Sequence, residues 1–568
     1  MTRKLHTSSF PKAFVLVLAT SIAVTACGGG GDDAIQAAQS AGAPTTGMPP
    51  AAAPSTPPTR TGPPASVVAP ACSGCGAIDA NTYAGTGIGV WQNTNATGAA
   101  VDMPVNISGL TGQDVTLVFT NQTATAQPMP TIALTSSSYR SIAASELRWD
   151  DGTDAIRHRI AGFNREGWPA LAGSKRAAPS FSMVTGPSRS VVNDVRTWYH
   201  EDNSAHSATL VRQLTATDGA TVNFWVEDAE NEPTKVSTTI VDTLANGFVP
   251  SGKIYDMLKS VGGPVWGPHA YSNLISGTGQ PIDIVILNFD KNATPFGLVG
   301  YFYARNAIKK DPSTNPFSNE SVSLYLDSET LYLGGPAGMK SMLLTMAHEG
   351  MHMQNFYRRG VVGAPSFMFD TWLEEASAMM MEDFASQSID PTYNAIRDVR
   401  FPDYIDYKAG SYNCSLLDWT PFAASCDSYS VSGSLGGFLD RQLGLGFYKN
   451  LLANMSTTDS VEVLDAAIRS VAPTSGLGEQ LRRFAATSAS LMKNPSPAGF
   501  GFPARADGPF ILPLIEPQAL LPSRTLTQSV PTTLQPYASL PVVRRGVTGT
   551  YSETVKVPAG STLSVVVQ

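Results

Sequence analysis

The sequence predicts an α+β fold: a mixed β-sheet followed by helices, flanked by an N-terminal β-rich domain and a small C-terminal β-domain. Three observations predict it. Thr-, Val- and Gly-rich runs cluster near both ends of the chain, apolar strand-like runs separated by turn residues occupy about 220–327, and apolar stretches with helical spacing follow to about 492. A chain of 568 residues exceeds what one core usually serves, so two or three folded domains are expected. Hydrophobic residues make up 42% and charged residues 15%, a globular composition with a lightly charged surface. The net charge is −8, and Lys and Arg form only short pairs such as Arg482–Arg483, which argues against a nucleic-acid partner.

Residues 1–26 read as a lipoprotein signal peptide. Arg3, Lys4 and Lys12 form a positive start, and "AFVLVLATSIAV" (13–24) is an apolar run too short to span a bilayer as a stable helix. It ends in "VTAC", which resembles a bacterial lipobox with Cys27 as the acylated first mature residue; the alternative is ordinary cleavage near Ala26. Gly28 stands where an Asp would resemble an inner-membrane retention signal, so the outer membrane is favoured, at its periplasmic face or the cell surface. Residues 27–71, with "PPAAAPSTPPTRTGPP" at their centre, cannot bury enough apolar surface to fold and read as a tether. Cys72, Cys75, Cys414 and Cys426 then remain in an oxidising compartment. Of three possible connectivities, the sequence-local pairs 72–75 and 414–426 are expected. "CSGC" is also a redox-type spacing, but no strand precedes it and no obvious helix follows.

The N-terminal β-rich domain is placed at 72–216, where "PVNIS" and "VTLVFT" read as two short strands broken by "GLTGQD". His158, His200 and His206 lie there on polar stretches and read as surface residues. From 217 to 492 the texture is that of a second domain. "ATVNFWV" (220–226), "PIDIVILNF" (281–289), "GLVGYFYA" (297–304) and "ESVSLYLD" (320–327) read as strands, and 236–258 as helix with a break. "GGPAGMKSMLLTMAHEGMHMQNFYRRG" reads as a helix with Gly and Pro before it and Gly360 after it, and "FDTWLEEASAMMMEDFAS" as a second, capped by Asp370 or Thr371. Residues 493–568 return to Pro, Thr and Val, and "YSETVKVPAGSTLSVVV" reads as a hairpin.

The chemistry is concentrated in "AHEGMHMQNF". His348 and His352, four apart, share one helix face and can each offer a ring nitrogen to one ion. Zinc suits imidazole and carboxylate, and a catalytic site keeps three protein ligands and one water. Glu349, on the neighbouring face, can take a proton from that water without being a ligand. No histidine follows His352, and a three-histidine pattern would want Gly at 355 and His at 358, where this chain has Asn355 and Arg358, so a downstream carboxylate is needed. Glu375 is the candidate, on one face with Trp372 and Met379. Glu374 points about 100° away and reads as solvated. Glu382, seven residues on from Glu375, is either a partner for a metal-bound histidine or a charge at the helix end.

"LLTMAHEGMHMQNFYRRG" followed by "TWLEEASAMMMEDF" resembles the hyicolysin family of bacterial zinc metallopeptidases, within the gluzincin group. "DIVILNFD", "GLVGYFYARN" and "SNESVSLYLD" resemble its strands in order, so the resemblance spans roughly 217–490. It implies a gluzincin-type domain, one catalytic Zn2+ held by His348, His352 and Glu375, and Glu349 as catalytic base in hydrolysis of peptide bonds. Ala376 departs from the Gly that often follows the ligand glutamate. The resemblance also implies a Tyr or His donor from a later helix: Tyr429 is the candidate, with Tyr407 and Tyr412 as rivals. It further implies an edge strand that pairs with extended substrate, here placed on "ESVSLYLD" (320–327), with the proline-sensitive positions at 322–326; the alternative is an interior strand paired on both sides. The expected protein is a zinc-dependent peptidase, an endopeptidase by preference, acting on protein or peptide substrates and held to the membrane by an N-terminal lipid. Two alternatives stand beside it: an envelope-anchored binding lipoprotein with an incidental peptidase fold, and a zinc hydrolase of non-protein substrates.

Overall fold

The computed structural model describes residues 67–134, 153–175, 190–407, 411–423 and 425–568. The signal peptide, Cys27 and most of the tether lie outside the described residues. Two sheets organise the rest. The first contains β1 (Gly89–Thr94) and β2 (Val101–Asn121), and the chain then passes through α1 (Thr153–Gly162). The second contains β3 (Val195–Tyr199), β4 (Ala205–Thr215), β5 (Thr221–Glu227), β6 (Ile282–Leu287), β7 (Gly300–Phe302) and β8 (Val322–Asp327). Its order is β3-β4-β5-β6-β8-β7, with β6 parallel to both β5 and β8, and all other pairs antiparallel. The helices α2 (Gly335–Asn355), α3 (Thr371–Ile389) and α4 (Ser428–Leu443) follow. The chain ends in β9 (Ser539–Val557) and β10 (Ser561–Val567).

The sheets depart from the sequence expectations. The two β-rich ends are not separate domains: β10 lies between β1 and β2, and β9 flanks β2 on its other side, all antiparallel. Their inward faces build one core from Trp91, Val105, Phe119, Val555 and Val565. The expected terminal hairpin is absent, because β9 and β10 each pair with β2 rather than with each other. "GLTGQD" does not break the first strand; β2 runs straight through it, with register shifts in β9 between Arg544 and Thr550 absorbing the irregularity. In addition, β3 and β4, placed by sequence in the N-terminal domain, extend the central sheet.

The central sheet is covered by helices. Ile284, Ile286, Leu324 and Leu326 on one face join Met342, Met346, Ala347 and Met351 of α2 in the largest core. The other face holds Trp198, Trp225, Tyr301 and Tyr325. The strands β6 and β8 are buried along their whole length, as expected of interior strands. That overturns the expectation that 322–326 is a substrate-pairing edge: β8 is paired on both sides, and β7 is the edge. Both expected disulfides are present, Cys72–Cys75 and Cys414–Cys426. Neither His200 nor His206 is a surface residue. Both are buried, His200 Nδ1 lies 2.9 Å from the Tyr301 hydroxyl, and burial lowers the His200 pKa to about 4.

Candidate metal and catalytic site

The site forms where α2 packs against α3 beneath β7. Helix α3 is buried almost all round, and α4 covers it with the small residues Gly433 and Gly436. A Cβ on Gly433 would meet Met379 Sδ at 2.8 Å, so these glycines set how closely the Met-rich helix is held. Strand β7 approaches α2 equally closely. A Cβ on Gly300 would lie 2.6 Å from the Tyr325 carbonyl oxygen and 2.7 Å from Thr345 Cγ2. This approach lets the Phe302 N–H donate to Glu349 Oε2 at 2.8 Å, which fixes that carboxylate against the edge strand.

On α2 the two imidazoles sit one turn apart, ring centroids 4.7 Å from each other. His348, Glu349 and His352 bring one potential ligand atom each to within 4.8 Å of one another. The Nε2 atoms of both histidines face Glu375: His348 Nε2 is 3.2 Å from Oε2 and His352 Nε2 is 3.8 Å from Oε1. Behind the rings, His348 Nδ1 meets Glu382 Oε1 at 2.7 Å and His352 Nδ1 meets Glu374 Oε1 at 2.9 Å. Glu374 is thus not a solvated charge, contrary to the helix-phase expectation. It bridges the His352 ring and the Asn355 amide, whose Nδ2 donates to Oε2 at 3.1 Å. Glu382 lies behind His348 rather than at a free helix end, and it also accepts from Arg400 Nη2 at 3.1 Å.

The electrostatics favour a cation between these groups. Burial alone would lower the His348 pKa, yet Glu375 and Glu382 outweigh it and hold it well above the ordinary histidine value. Burial would raise Glu375, and the two imidazoles hold it below the usual carboxylate range instead. Glu375 Oε2 is buried and, despite its nearness to His348, makes no aligned hydrogen bond. A buried carboxylate whose two oxygens each face an imidazole Nε2, one of them orphaned, with each ring held from behind by a carboxylate, fits the donor set of zinc and the outer hydrogen bonds that orient it.

Two hollows meet at this point, sharing Arg157, Gly300, His348, Glu349 and Tyr429 in their walls. Tyr429 thus lines both hollows. Its ring packs between Trp419 and Phe422, and burial raises its pKa well above 10, with the Glu375 charge adding to this. The phenol keeps its proton. Tyr412 is buried against Tyr404, and Tyr407 bonds the Ala423 carbonyl; neither lines the hollows.

Against known protein families, the model for Peptidase M30 matches residues 202–568, well over half of the chain. The chain belongs to the peptidase M30 family. The sequence-level resemblance to the hyicolysins is the same assignment, and it makes the protein a peptidase, a hydrolase of peptide substrates, in a metallopeptidase family. Residues 70–134 match a domain of unknown function (DUF8571). No curated protein matches the chain. The M30 match contains every residue of the site described above except Arg157. That arginine, with Ile160, Ala161, Asn164 and Arg165, lies between the two matched regions and still lines the site. Sequence reading passed over this segment because it carries no recognisable spacing of ligands or bases.

Proposed function

We infer that this M30 peptidase uses one zinc ion, held by His348, His352 and Glu375, and hydrolyses internal peptide bonds with Glu349 as general base. The observation that carries the reading is the convergence of both histidine Nε2 atoms and the orphaned Glu375 oxygen beside a Glu349 carboxylate aimed at the same hollow. Bound there, zinc would polarise a water and bring its pKa toward about 7. Glu349, held by the Phe302 N–H, would accept a proton from the attacking water and return it to the leaving amine. Glu382 and Glu374 hold the imidazole rings in orientation. Tyr429, a neutral phenol, donates a hydrogen bond to the negative oxygen that develops on the substrate. The β7 edge offers main-chain groups to an extended substrate.

The same reading places the protein on the bacterial envelope, anchored by a lipid on Cys27, with the outer membrane favoured. Its support is the charged start, the short apolar run and the "VTAC" ending followed by Gly28. The test is elemental analysis of protein purified without chelator, paired with digestion of casein before and after chelation. About one zinc per chain and chelator-sensitive digestion are expected; protein free of transition metal that still digests casein would overturn the reading.

A further inference from the structure

We propose that Asn164 determines substrate specificity by closing one half of the β7 edge, so that a peptide pairs with the edge on the Gly300 side of the scissile bond and must leave it on the other. This rests on the peptidase reading above. In β7 the residues alternate: Val299 accepts from Asp327 N, and Tyr301 is in register with Tyr325, so the main-chain groups of Gly300 and Phe302 turn outward. The Phe302 N–H is taken by Glu349, and this marks the level of the scissile bond along the strand. Gly300 lines both hollows: one continues along Gly297 and Val299, and the other continues past Phe302 to Asn164.

On the far side the edge is already paired. Asn164 Nδ2 donates to the Phe302 carbonyl at 2.9 Å, and Asn164 Oδ1 accepts from Ala304 N at 2.7 Å. A primary amide presents one donor and one acceptor side by side, as a strand residue does, so this side chain stands in for the main chain of an added strand. The helix that brings it is fastened nearby. Arg157 Nη2 donates to the Gly297 carbonyl at 3.2 Å, and Arg165 pairs with Asp370 at 2.6 Å. Ile160, Ala161 and Arg165 then wall the hollow beyond the amide. The segment lies outside the M30 match.

The test uses peptides built on a central Ala-Leu pair and lengthened with Ala and Ser, from the N-terminal end in one series and the C-terminal end in the other. Binding is read by fluorescence anisotropy in a Glu349→Gln background, so it does not depend on turnover. With Asn164 present, lengthening tightens Kd in one series only. With Asn164→Ala added, the other series also tightens, by about fivefold, the net worth of one hydrogen bond. Both series responding while Asn164 is present, or the silent series staying silent after its removal, overturns the proposal; so does equal weakening of both, which marks a purely structural role. Should Asn164→Ala fail to fold, Asn164→Ser, too short to reach both main-chain groups, is titrated in its place with the same outcomes. One-sided binding by a protein whose wild type cleaves no peptide would refute the peptidase reading and leave this one standing.

Discussion

Helix α3 carries two buried sets of charges that behave differently. On one face Glu374, Glu375 and Glu382 meet His348, His352 and Arg400 around a hollow. On the other, Asp383 pairs with Arg441 at 2.6 Å, both side chains wholly inaccessible, and the amide of Asn394 completes the cluster. Next to it Asp440 is buried with neither carboxylate oxygen hydrogen-bonded, its pKa raised well above 3.8 first by burial and then by the Asp383 charge. Burial of charge therefore does not by itself mark a site. The first set leaves an orphaned acceptor facing a hollow and two convergent nitrogens. The second closes its ion pair on itself and tolerates one neutral acid beside it.

The comparison can be broken by substitution, and the largest effects belong to the hollow. Glu349→Gln is expected to lower turnover by roughly 10²- to 10⁴-fold with zinc retained, whereas His348→Ala loses zinc as well as activity. Equal metal content in the two variants would refute the division between base and ligand. In the closed cluster, Arg441→Met strands the Asp383 charge and is expected to cost about 3–5 kcal/mol of stability in denaturant titration. Zinc content of the folded fraction should not change; a loss of zinc would mean that the two sets are one network.

Smaller effects sharpen the contrast. Glu374→Ala is expected to weaken zinc binding about 10–100-fold by releasing the His352 ring, less than Glu375→Ala, which removes a ligand outright. Competition with a fluorescent chelator would rank them, and an equal loss would contradict the assigned roles. The smallest effect is at Asp440. Its folded pKa lies above the unfolded value, so its contribution to stability is fully present below about pH 4 and falls as pH rises toward the folded pKa. Asp440→Asn should therefore raise the melting midpoint at pH 8 and leave it nearly unchanged at pH 4. The opposite ordering would mean that this carboxylate is ionised in the fold.

The spacing of His348, Glu349 and His352 and the face of Glu375 were legible in the sequence because a helix turns sequence distance directly into spatial distance. The apolar runs of β6 and β8, the two helices and the neighbour-to-neighbour disulfides were legible for the same local reason. Glu374 was misjudged because helix phase gives the direction of a Cα–Cβ bond, while a long side chain from α3 can swing to a ring on α2. Which strand is the edge was decided by tertiary pairing: alternation and apolarity describe the faces of a strand, and its two hydrogen-bonding edges leave no mark in sequence. The same gap hid the union of the two chain ends, where β9 and β10 enclose β2 from more than 400 positions away. It also hid Asn164, whose amide reaches β7 across 138 positions with no motif around it. What the sequence determined is the chemistry held within two helices; what only the folded chain decided is what lies beside them, because contacts between distant segments depend on packing that no local pattern encodes.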